Sequence, residues 1–446
     1  MTAEIAIMNK MAVALASDSA VTMTEKKTPR DHPKEKIFSS ANKLFALSKY
    51  HPVGIMVYGS ANFMEIPWET IIKVYRNNFL DKNKEKFDTL EEYAKDFVEF
   101  LDNGNPLFPN SEQDYYVYGS ISAYFVMIKE QIQKKVDSIL TQRRRITKKR
   151  TQQIVSERIK LHYDRWIKTD NIPSIPKRYN DEIIDKYEEL IEEAIKIVFE
   201  QLPISPRPKN WLKKIAGSLF SKYPEGIKKG EISGVVIAGF GENDIFPSLV
   251  SLQMEGIANN RLKYRRQQDL YGKIDFKNNA SIIPFAQREM VDIFMEGIDP
   301  TYRNVEETYL SKIFQNYAGI IVNNLQKYTD KEKRDLNQKL VSIGEKILKD
   351  RNDALRRYRA MKYISPVVKV VSVLPKDELA IMAESLVSLT SFKRKVTLES
   401  ETVAGPIDVA VISKGDGFIW IKRKHYFKKE LNPQFFANYY KEVQDE

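Results

Sequence analysis

The chain has 446 residues, 42% of them hydrophobic and 29% charged, and a formal net charge of +11, which together are typical of a globular protein larger than one small core. The absence of cysteine excludes disulfides, thiolate zinc sites and a cysteine nucleophile, and it fits a reducing compartment. No apolar run is long enough to span a membrane, and Glu4 is unlike the basic start of a secretion signal, so we expect a cytoplasmic protein without a membrane partner.

The first sixty residues begin with the pattern of a β-hairpin. Ile5 and Ile7 alternate with small or polar residues, and Ala12–Ala16 form a short apolar run. A link around residues 9–11 separates these two segments. The pattern predicts two strands that pair at the start of the chain.

Thr2 precedes this hairpin and combines a nucleophile with its own base. If Met1 is removed, which the small threonine side chain permits, Thr2 carries a hydroxyl and a free α-amino group. A threonine hydroxyl needs a base to take its proton, and an α-amino group with a pKa of about 7.7–8.0 is partly neutral at physiological pH. A nearby Lys43 would favour the neutral amine and the developing alkoxide, and Asp18 would hold Lys43 charged and oriented. The alternative is that these residues have no catalytic role. Thr2 would then be a frayed terminal residue, Asp18 a carboxylate in a turn and Lys43 a solvated lysine.

The order and spacing of these residues can be compared with those of known catalytic sites. Asp18 lies in the segment Ala16–Thr22, and Lys43 stands at the head of the apolar segment Leu44–Leu47. Gly59 follows in the segment Tyr58–Ala61. Counted from Thr2, this arrangement resembles the catalytic β-subunits of the proteasome, within the N-terminal-nucleophile hydrolases.

The resemblance implies a role for each of these residues. Thr2 is the nucleophile, Asp18 and Lys43 tune it, and the Gly59 N–H stabilises the oxyanion. The resemblance also implies a substrate-binding cleft lined by Thr22 and Ala61, with a first pocket shaped by Val21, Ala41, Phe45 and Val57.

From residue 63 to about residue 228 the apolar pattern is helical almost throughout. The segment Ile66–Glu69 opens a helix with Pro67 near its first turn, and further prolines lie in the loops between the later helices. The other predicted helices of this region are Leu90–Asp102, Tyr115–Gln142, Thr151–Thr169, Asp181–Gln201 and Lys209–Lys222. Because a proteasome-like subunit needs only two helices here, the resemblance implies a helical insertion over residues 81–221.

The most concentrated basic stretch, Arg143–Arg150, lies within this insertion. No aromatic residue interleaves with its charges, so a basic helical face or a helix-to-helix turn is expected. An acidic partner surface and nucleic acid are the alternatives, and nucleic acid is not the expected partner. The four histidines are scattered and never stand at i, i+4 spacing, so neither a metal site nor another cofactor is expected.

Strand patterns return after residue 231. Ile232–Phe240 and Phe246–Met254 predict a hairpin that is similar to the central hairpin of the proteasome fold. The remaining predicted elements are a strand over Lys273–Ile283, a helix over Ala286–Gly297, a second helical insertion from Asp299, a strand over Val367–Val373, a helix over Lys376–Phe392 and a last hairpin over Pro406–Lys414 and Gly417–Lys422.

The chain departs from the proteasome pattern at residues that support the expected site. Near Ala404–Pro406, the family carries an aspartate and a serine, whereas this chain has Ser400 and Val403, flanked by Glu399, Glu401 and Thr402. Where the family carries another serine close to the nucleophile, this chain has Pro284–Gln287, which includes Phe285. The nucleophile, the acid, the lysine and the oxyanion donor are retained.

The sequence therefore predicts an α+β fold of the N-terminal-nucleophile type. We expect an αββα four-layer sandwich of two mainly antiparallel sheets between helical layers, with large helical insertions. Residues 2–80, 231–298 and 367–446 are predicted to form the core, and residues 81–221 and 299–366 are predicted to form the two insertions.

The predicted function is that of a threonine-type hydrolase, a peptidase that cleaves peptide or amide bonds through a Thr2 acyl-enzyme. The alternatives are a small-molecule amidase on the same fold and a catalytically silent, proteasome-like scaffold or partner-binding protein. The resemblance implies a peptide or protein substrate, self-association into a homo-oligomer and an unfoldase as a candidate partner.

Overall fold

The computed structural model describes residues 2–25, 34–82, 86–102, 104–142, 145–226, 232–397 and 403–437. The described chain is a mixed α+β protein with two antiparallel sheets of five and six strands and two short two-stranded ribbons, and its α+β class is as the sequence predicted. It divides into two compact units, and neither is continuous in sequence. The first unit contains Met1–Leu44, Ile245–Ser248 and Gly272–Glu446, and the second contains Phe45–Asp244 and Leu249–Tyr271.

The strands and helices are numbered in chain order. The strands are β1 (Ala3–Asn9), β2 (Ala12–Ser17), β3 (Val21–Glu25), β4 (Lys34–Phe38), β5 (Leu44–Ala46), β6 (Val53–Gly59), β7 (Asn62–Phe63), β8 (Ile66–Pro67), β9 (Ser233–Gly239), β10 (Ser248–Ala258), β11 (Arg261–Arg266), β12 (Gly272–Lys273), β13 (Ala280–Ala286), β14 (Asp408–Ser413) and β15 (Gly417–Lys422). The helices are α1 (Trp68–Tyr75), α2 (Leu90–Leu101), α3 (Asn110–Gln142), α4 (Lys148–Lys168), α5 (Tyr179–Lys186), α6 (Glu188–Val198), α7 (Pro206–Ser218), α8 (Glu289–Glu296), α9 (Pro300–Asn323), α10 (Asp330–Arg359), α11 (Ser365–Val371) and α12 (Lys376–Val396).

The first unit is built on a sheet with the strand order β13-β1-β2-β14-β15. The predicted β1–β2 hairpin is confirmed, with Ile5 opposite Ala16. Asn9 closes the hairpin, because its Oδ1 accepts hydrogen bonds from the backbone N–H groups of Met11 (2.9 Å) and Ala12 (3.2 Å). The predicted β14–β15 hairpin is also confirmed.

One face of this sheet packs against helix α12. Ile5 and Ile7 from β1 share an apolar core with Leu379 and Ala383 from α12. Because successive side chains of a strand point to opposite faces, Glu4 points away from this core. The alternation that predicted the strand therefore also decides which side of the sheet carries the carboxylate.

The second unit is built on a sheet with the strand order β11-β10-β9-β6-β5. Strands β9 and β10 are neighbours, which confirms the hairpin predicted after residue 231. Helices α1 and α2 cover this sheet through buried side chains that include Trp68 and Phe97. Helices α3 to α7 form a second apolar core around residues such as Phe125, Ile191 and Leu212.

Three sequence predictions need correction. The strand predicted over Val367–Val373 is wrong, because Ser365–Val371 is helix α11, which continues from α10 through a π-helical turn at Ala360–Ile364. The β-branched valines favour a strand locally, but the continuous helix overrides that preference. The single helix predicted over residues 181–201 is two helices that meet at Tyr187, and the strand predicted over residues 273–283 is divided between β12 and β13.

The basic stretch Arg143–Arg150 covers the link between α3 and α4 and the first residues of α4. Arg143 and Arg144 are outside the described residues, and Arg145 and Lys148–Arg150 are exposed. Across the described ranges, no helix combines the length and the apolar character needed to cross a membrane.

Candidate active site

Thr2 lies immediately before β1 and is buried, with 2% of its surface exposed. Its Oγ1 donates a hydrogen bond to Glu4 Oε2 at 3.0 Å. The two side chains are neighbours because residues i and i+2 of an extended chain share one face. On the main chain, the Thr2 carbonyl accepts a hydrogen bond from the Gln287 N–H at 3.2 Å, directly after β13. The hydroxyl is therefore held in a defined position beside a carboxyl group.

Asp18 follows β2, and its carboxylate accepts hydrogen bonds from four other residues of the first unit. Its Oδ1 accepts hydrogen bonds from Lys43 Nζ at 2.6 Å and from the Ala3 N–H at 3.1 Å. Its Oδ2 accepts hydrogen bonds from the N–H groups of Ala20 and Ala404, both at 3.2 Å. These contacts fix the carboxylate, which in turn fixes the direction of the Lys43 side chain.

Lys43 stands just before β5, with 6% of its surface exposed, and bridges two carboxyl groups. Its Nζ lies 2.6 Å from Asp18 Oδ1 and 3.5 Å from Glu4 Oε1. One buried ammonium cannot balance two buried carboxylates. Burial therefore raises the pKa of Glu4 to about 8, an effect that Lys43 opposes and Asp18 reinforces. Glu4 is therefore mostly protonated near neutral pH.

The sequence predictions for Thr2, Asp18 and Lys43 thus concern buried side chains of the first unit: Lys43 contacts Asp18 directly, and Thr2 is linked to Lys43 through Glu4. Val21 begins β3, and the Ala41 N–H donates a hydrogen bond to the Ser19 carbonyl at 3.1 Å. Thr22 lies in β3, but its side chain is outside the described part of the chain. Their predicted contact with a substrate stays a prediction.

The other predicted site residues belong to the second unit. Gly59 ends β6 with φ +85°, and a Cβ on it would lie 2.3 Å from the Ile232 carbonyl oxygen, so only glycine fits. Phe45 and Val57 are buried in the apolar core of this unit. Ala61 is exposed, and its carbonyl accepts a hydrogen bond from the Trp68 N–H at 3.1 Å. The role of Gly59 as the oxyanion donor stays a prediction.

The segments that depart from the proteasome pattern are only partly described. Glu399, Ser400, Glu401 and Thr402 are outside the described residues. Val403 is buried, and its carbonyl accepts a hydrogen bond from Ser391 Oγ at 3.2 Å. The next residue, Ala404, supplies the N–H that reaches Asp18. Phe285 lies opposite Glu4 in the β1–β13 pair and is fully buried.

Glu4 is the residue that the sequence analysis missed. Its carboxyl group contacts the Thr2 hydroxyl and faces the Lys43 ammonium. The available signal was its position two residues after the predicted nucleophile, within a strand, where the two side chains must share a face. Its proximity to Lys43 could not be predicted, because Lys43 is 39 positions away and reaches Glu4 only through the fold.

This arrangement can move a proton away from a hydroxyl. A buried hydroxyl, a carboxyl group with a pKa near neutrality and a fixed ammonium group lie in contact, which is the combination that activates an alcohol as a nucleophile. Among the described residues, no group of three or more histidine, aspartate and glutamate side chains could hold a metal ion. No protein-family model matches the chain, and no curated protein matches it either.

Proposed function

We propose that the protein is a threonine-type N-terminal-nucleophile hydrolase, similar to the proteasome β-subunits, that cleaves peptide or amide bonds. The observation that carries the proposal is that the buried Thr2 hydroxyl and the Lys43 ammonium both approach the Glu4 carboxyl group, while Asp18 is hydrogen-bonded to Lys43. Three residues chosen from sequence spacing alone would not be expected to be buried and linked through one carboxyl group if each were an ordinary surface residue.

In this proposal Thr2 Oγ1 attacks the scissile carbonyl and forms an acyl-enzyme, which water then hydrolyses. The free α-amino group of Thr2 takes part in proton transfer, while Lys43, held by Asp18, stabilises the developing negative charge. The Gly59 N–H is assigned to the oxyanion, and the substrate cleft to the residues that the resemblance implies. The corresponding fold is the αββα sandwich, and the corresponding setting is a cytoplasmic, self-associating enzyme.

The first prediction is that Thr2 becomes covalently acylated. A peptide β-lactone, which opens on a nucleophilic hydroxyl, is expected to add one adduct to Thr2 of the protein from which Met1 has been lost. Intact mass followed by peptide mapping measures both the loss of Met1 and the position of the adduct. Thr2→Ala should abolish labelling, whereas Thr390→Ala, which changes a buried threonine on α12, should preserve it.

The outcomes separate the candidate functions. Absence of an adduct on Thr2 in the protein that lacks Met1 would overturn the hydrolase proposal and favour the silent scaffold. If Thr2 is labelled, a peptide library and a panel of small amides distinguish the proposed peptidase from an amidase.

A further inference from the structure

The hydroxyl of Thr2 is already paired with a proton acceptor within its own strand. Thr2 Oγ1 donates to Glu4 Oε2 at 3.0 Å, and both residues are 2% exposed. The other oxygen of the Glu4 carboxyl group, Oε1, lies 3.5 Å from Lys43 Nζ. Glu4 therefore connects the predicted nucleophile to the predicted lysine.

We propose that Glu4 is the catalytic base that receives the hydroxyl proton of Thr2. This inference rests on the proposed function, and it assigns to a side chain the step that the α-amino group would otherwise perform. Glu4 is a catalytic residue in this scheme because it touches the reacting oxygen. Lys43 is a positioning residue that also supplies positive charge.

The proton and the bonds can be followed through the whole cycle. The Thr2 Oγ1–H bond breaks and the proton moves to the Glu4 carboxylate, while Oγ1 bonds to the substrate carbonyl carbon and the carbonyl oxygen becomes the oxyanion. When the carbon–nitrogen bond breaks, the leaving amine takes this proton from Glu4. In the second half, Glu4 takes a proton from the attacking water and returns it to Thr2 Oγ1 as the acid product leaves.

The surroundings of Glu4 suit this role. Charged groups face it from two directions, with Lys43 before β5 and Asp18 after β2, and the paired strands place Ser17 and Phe285 opposite it. Because its pKa lies at about 8, Glu4 is a stronger base than an ordinary carboxylate, and the fraction of molecules in which it is ionised and able to accept a proton rises through pH 8. A surface glutamate would be ionised but too weak a base to abstract an alcohol proton efficiently.

The test compares Glu4→Gln with a matched control. Glutamine keeps the size of the side chain and resembles the protonated form that the folded protein holds near neutral pH, so the variant should fold. The rate of Thr2 labelling by the peptide β-lactone is measured from pH 6 to pH 9. We expect Glu4→Gln to slow labelling about 100-fold and to remove the rise that the wild type shows through pH 8.

The control is Glu255→Gln in the second unit, which alters another carboxyl group that is buried beside a lysine, with Lys263 Nζ at 2.7 Å. Its labelling rate and pH profile should match the wild type. A second variant, Glu4→Asp, withdraws the carboxylate from Thr2 Oγ1 by one methylene and is expected to slow labelling at least tenfold while keeping a pH-dependent rate.

Two negative results have different meanings. If Glu4→Gln or Glu4→Asp labels at the wild-type rate with the wild-type pH profile, Glu4 is not the base and the α-amino group keeps that role. In that case the hydrolase proposal stands. If the wild type itself gives no Thr2 adduct at any pH, the proposed function fails, and the inference about Glu4 fails with it.

Discussion

The buried charges around Lys43 show how single residues set the properties of the site. A lysine ammonium loses its hydration on burial, and this loss is offset only if carboxylates lie in good geometry around it. Asp18 provides that geometry through four hydrogen bonds, whereas Glu4 is left with the Thr2 hydroxyl and a longer contact to Lys43. Asp18 is thus held in place by its hydrogen-bond partners, whereas burial raises the pKa of Glu4.

The raised pKa of Glu4 predicts how stability depends on pH. Folding raises the pKa of Glu4 from about 4.5 to about 8. Between pH 4.5 and pH 8, Glu4 is therefore protonated in the folded chain and ionised in the unfolded chain. The free energy of unfolding should therefore fall as pH rises, by about 2 kcal/mol between pH 6.5 and pH 8.5. Urea unfolding at several pH values measures the effect.

Glu4→Gln is the control for this prediction, and it should remove most of the slope. His162, whose pKa is lowered to about 4 by burial, reduces stability as pH falls toward and below about 6.5, so its effect is confined to the acid end of the pH range and is shared by Glu4→Gln. Equal slopes in the wild type and in Glu4→Gln would show that Glu4 is not protonated in the folded state near pH 7.

At the scale of elements, two helical glycines in the second unit predict opposite effects on stability. Gly119 lies within α3, and a Cβ added there would meet no atom within 4 Å. Gly217 lies within α7, and its added Cβ would lie 2.5 Å from the Asn180 carbonyl oxygen. Gly119→Ala should therefore raise the free energy of unfolding by about 1 kcal/mol, because alanine favours the helix and restricts the unfolded chain.

Gly217→Ala is the matched control, with the same change in chemistry at a crowded position. It should lower stability, because the backbone at Asn180 cannot retreat without disturbing α5. Thermal unfolding of both variants gives the comparison. A stabilised Gly217→Ala would show that α5 and α7 pack less closely than the structure indicates.

Elements were predictable from the sequence where local signals agreed. Helix α2 was predicted from Leu90 and begins there, because Thr89 and Glu92 form a capping box before an apolar stripe. Helix α11 was not predictable in this way, because its valines favour strands and only its continuation from α10 makes it helical. The Asp18–Ala404 hydrogen bond depends on the pairing of β2 with β14, which no local pattern specifies.

The whole molecule carries an exposed apolar stripe along α9 in the first unit. The stripe comprises Tyr302, Val305, Tyr309, Ile313, Tyr317 and Ile320. Their spacings of three and four residues place them on one face of the helix, opposite the buried Ala318 and Val322. Tyr309 is 67% exposed, and an uncharged stripe of this kind can pair with its own copy.

We therefore predict that the self-association included in the proposed function runs through α9. Light scattering of the wild type at micromolar concentration should give a mass above that of one chain, and Tyr309→Glu should reduce it to one chain. Ile197→Glu, on α6, adds the same charge at another exposed apolar site and should leave the mass unchanged. A monomeric wild type, or a Tyr309→Glu variant of unchanged mass, would contradict this prediction.

The hydrogen bond from Ala404 to Asp18 also determines when the site is completed during synthesis. The two residues are 386 positions apart, and a ribosome that adds about 5–20 residues per second needs roughly 20 to 80 seconds to cover that distance. Strands β13 and β14, which flank β1 and β2 in the sheet, are made only late in this interval. The β1–β2 hairpin is therefore synthesised well before the strands that pair with it, and the hydrogen bonds that hold Asp18 are complete only after Ala404 has been added.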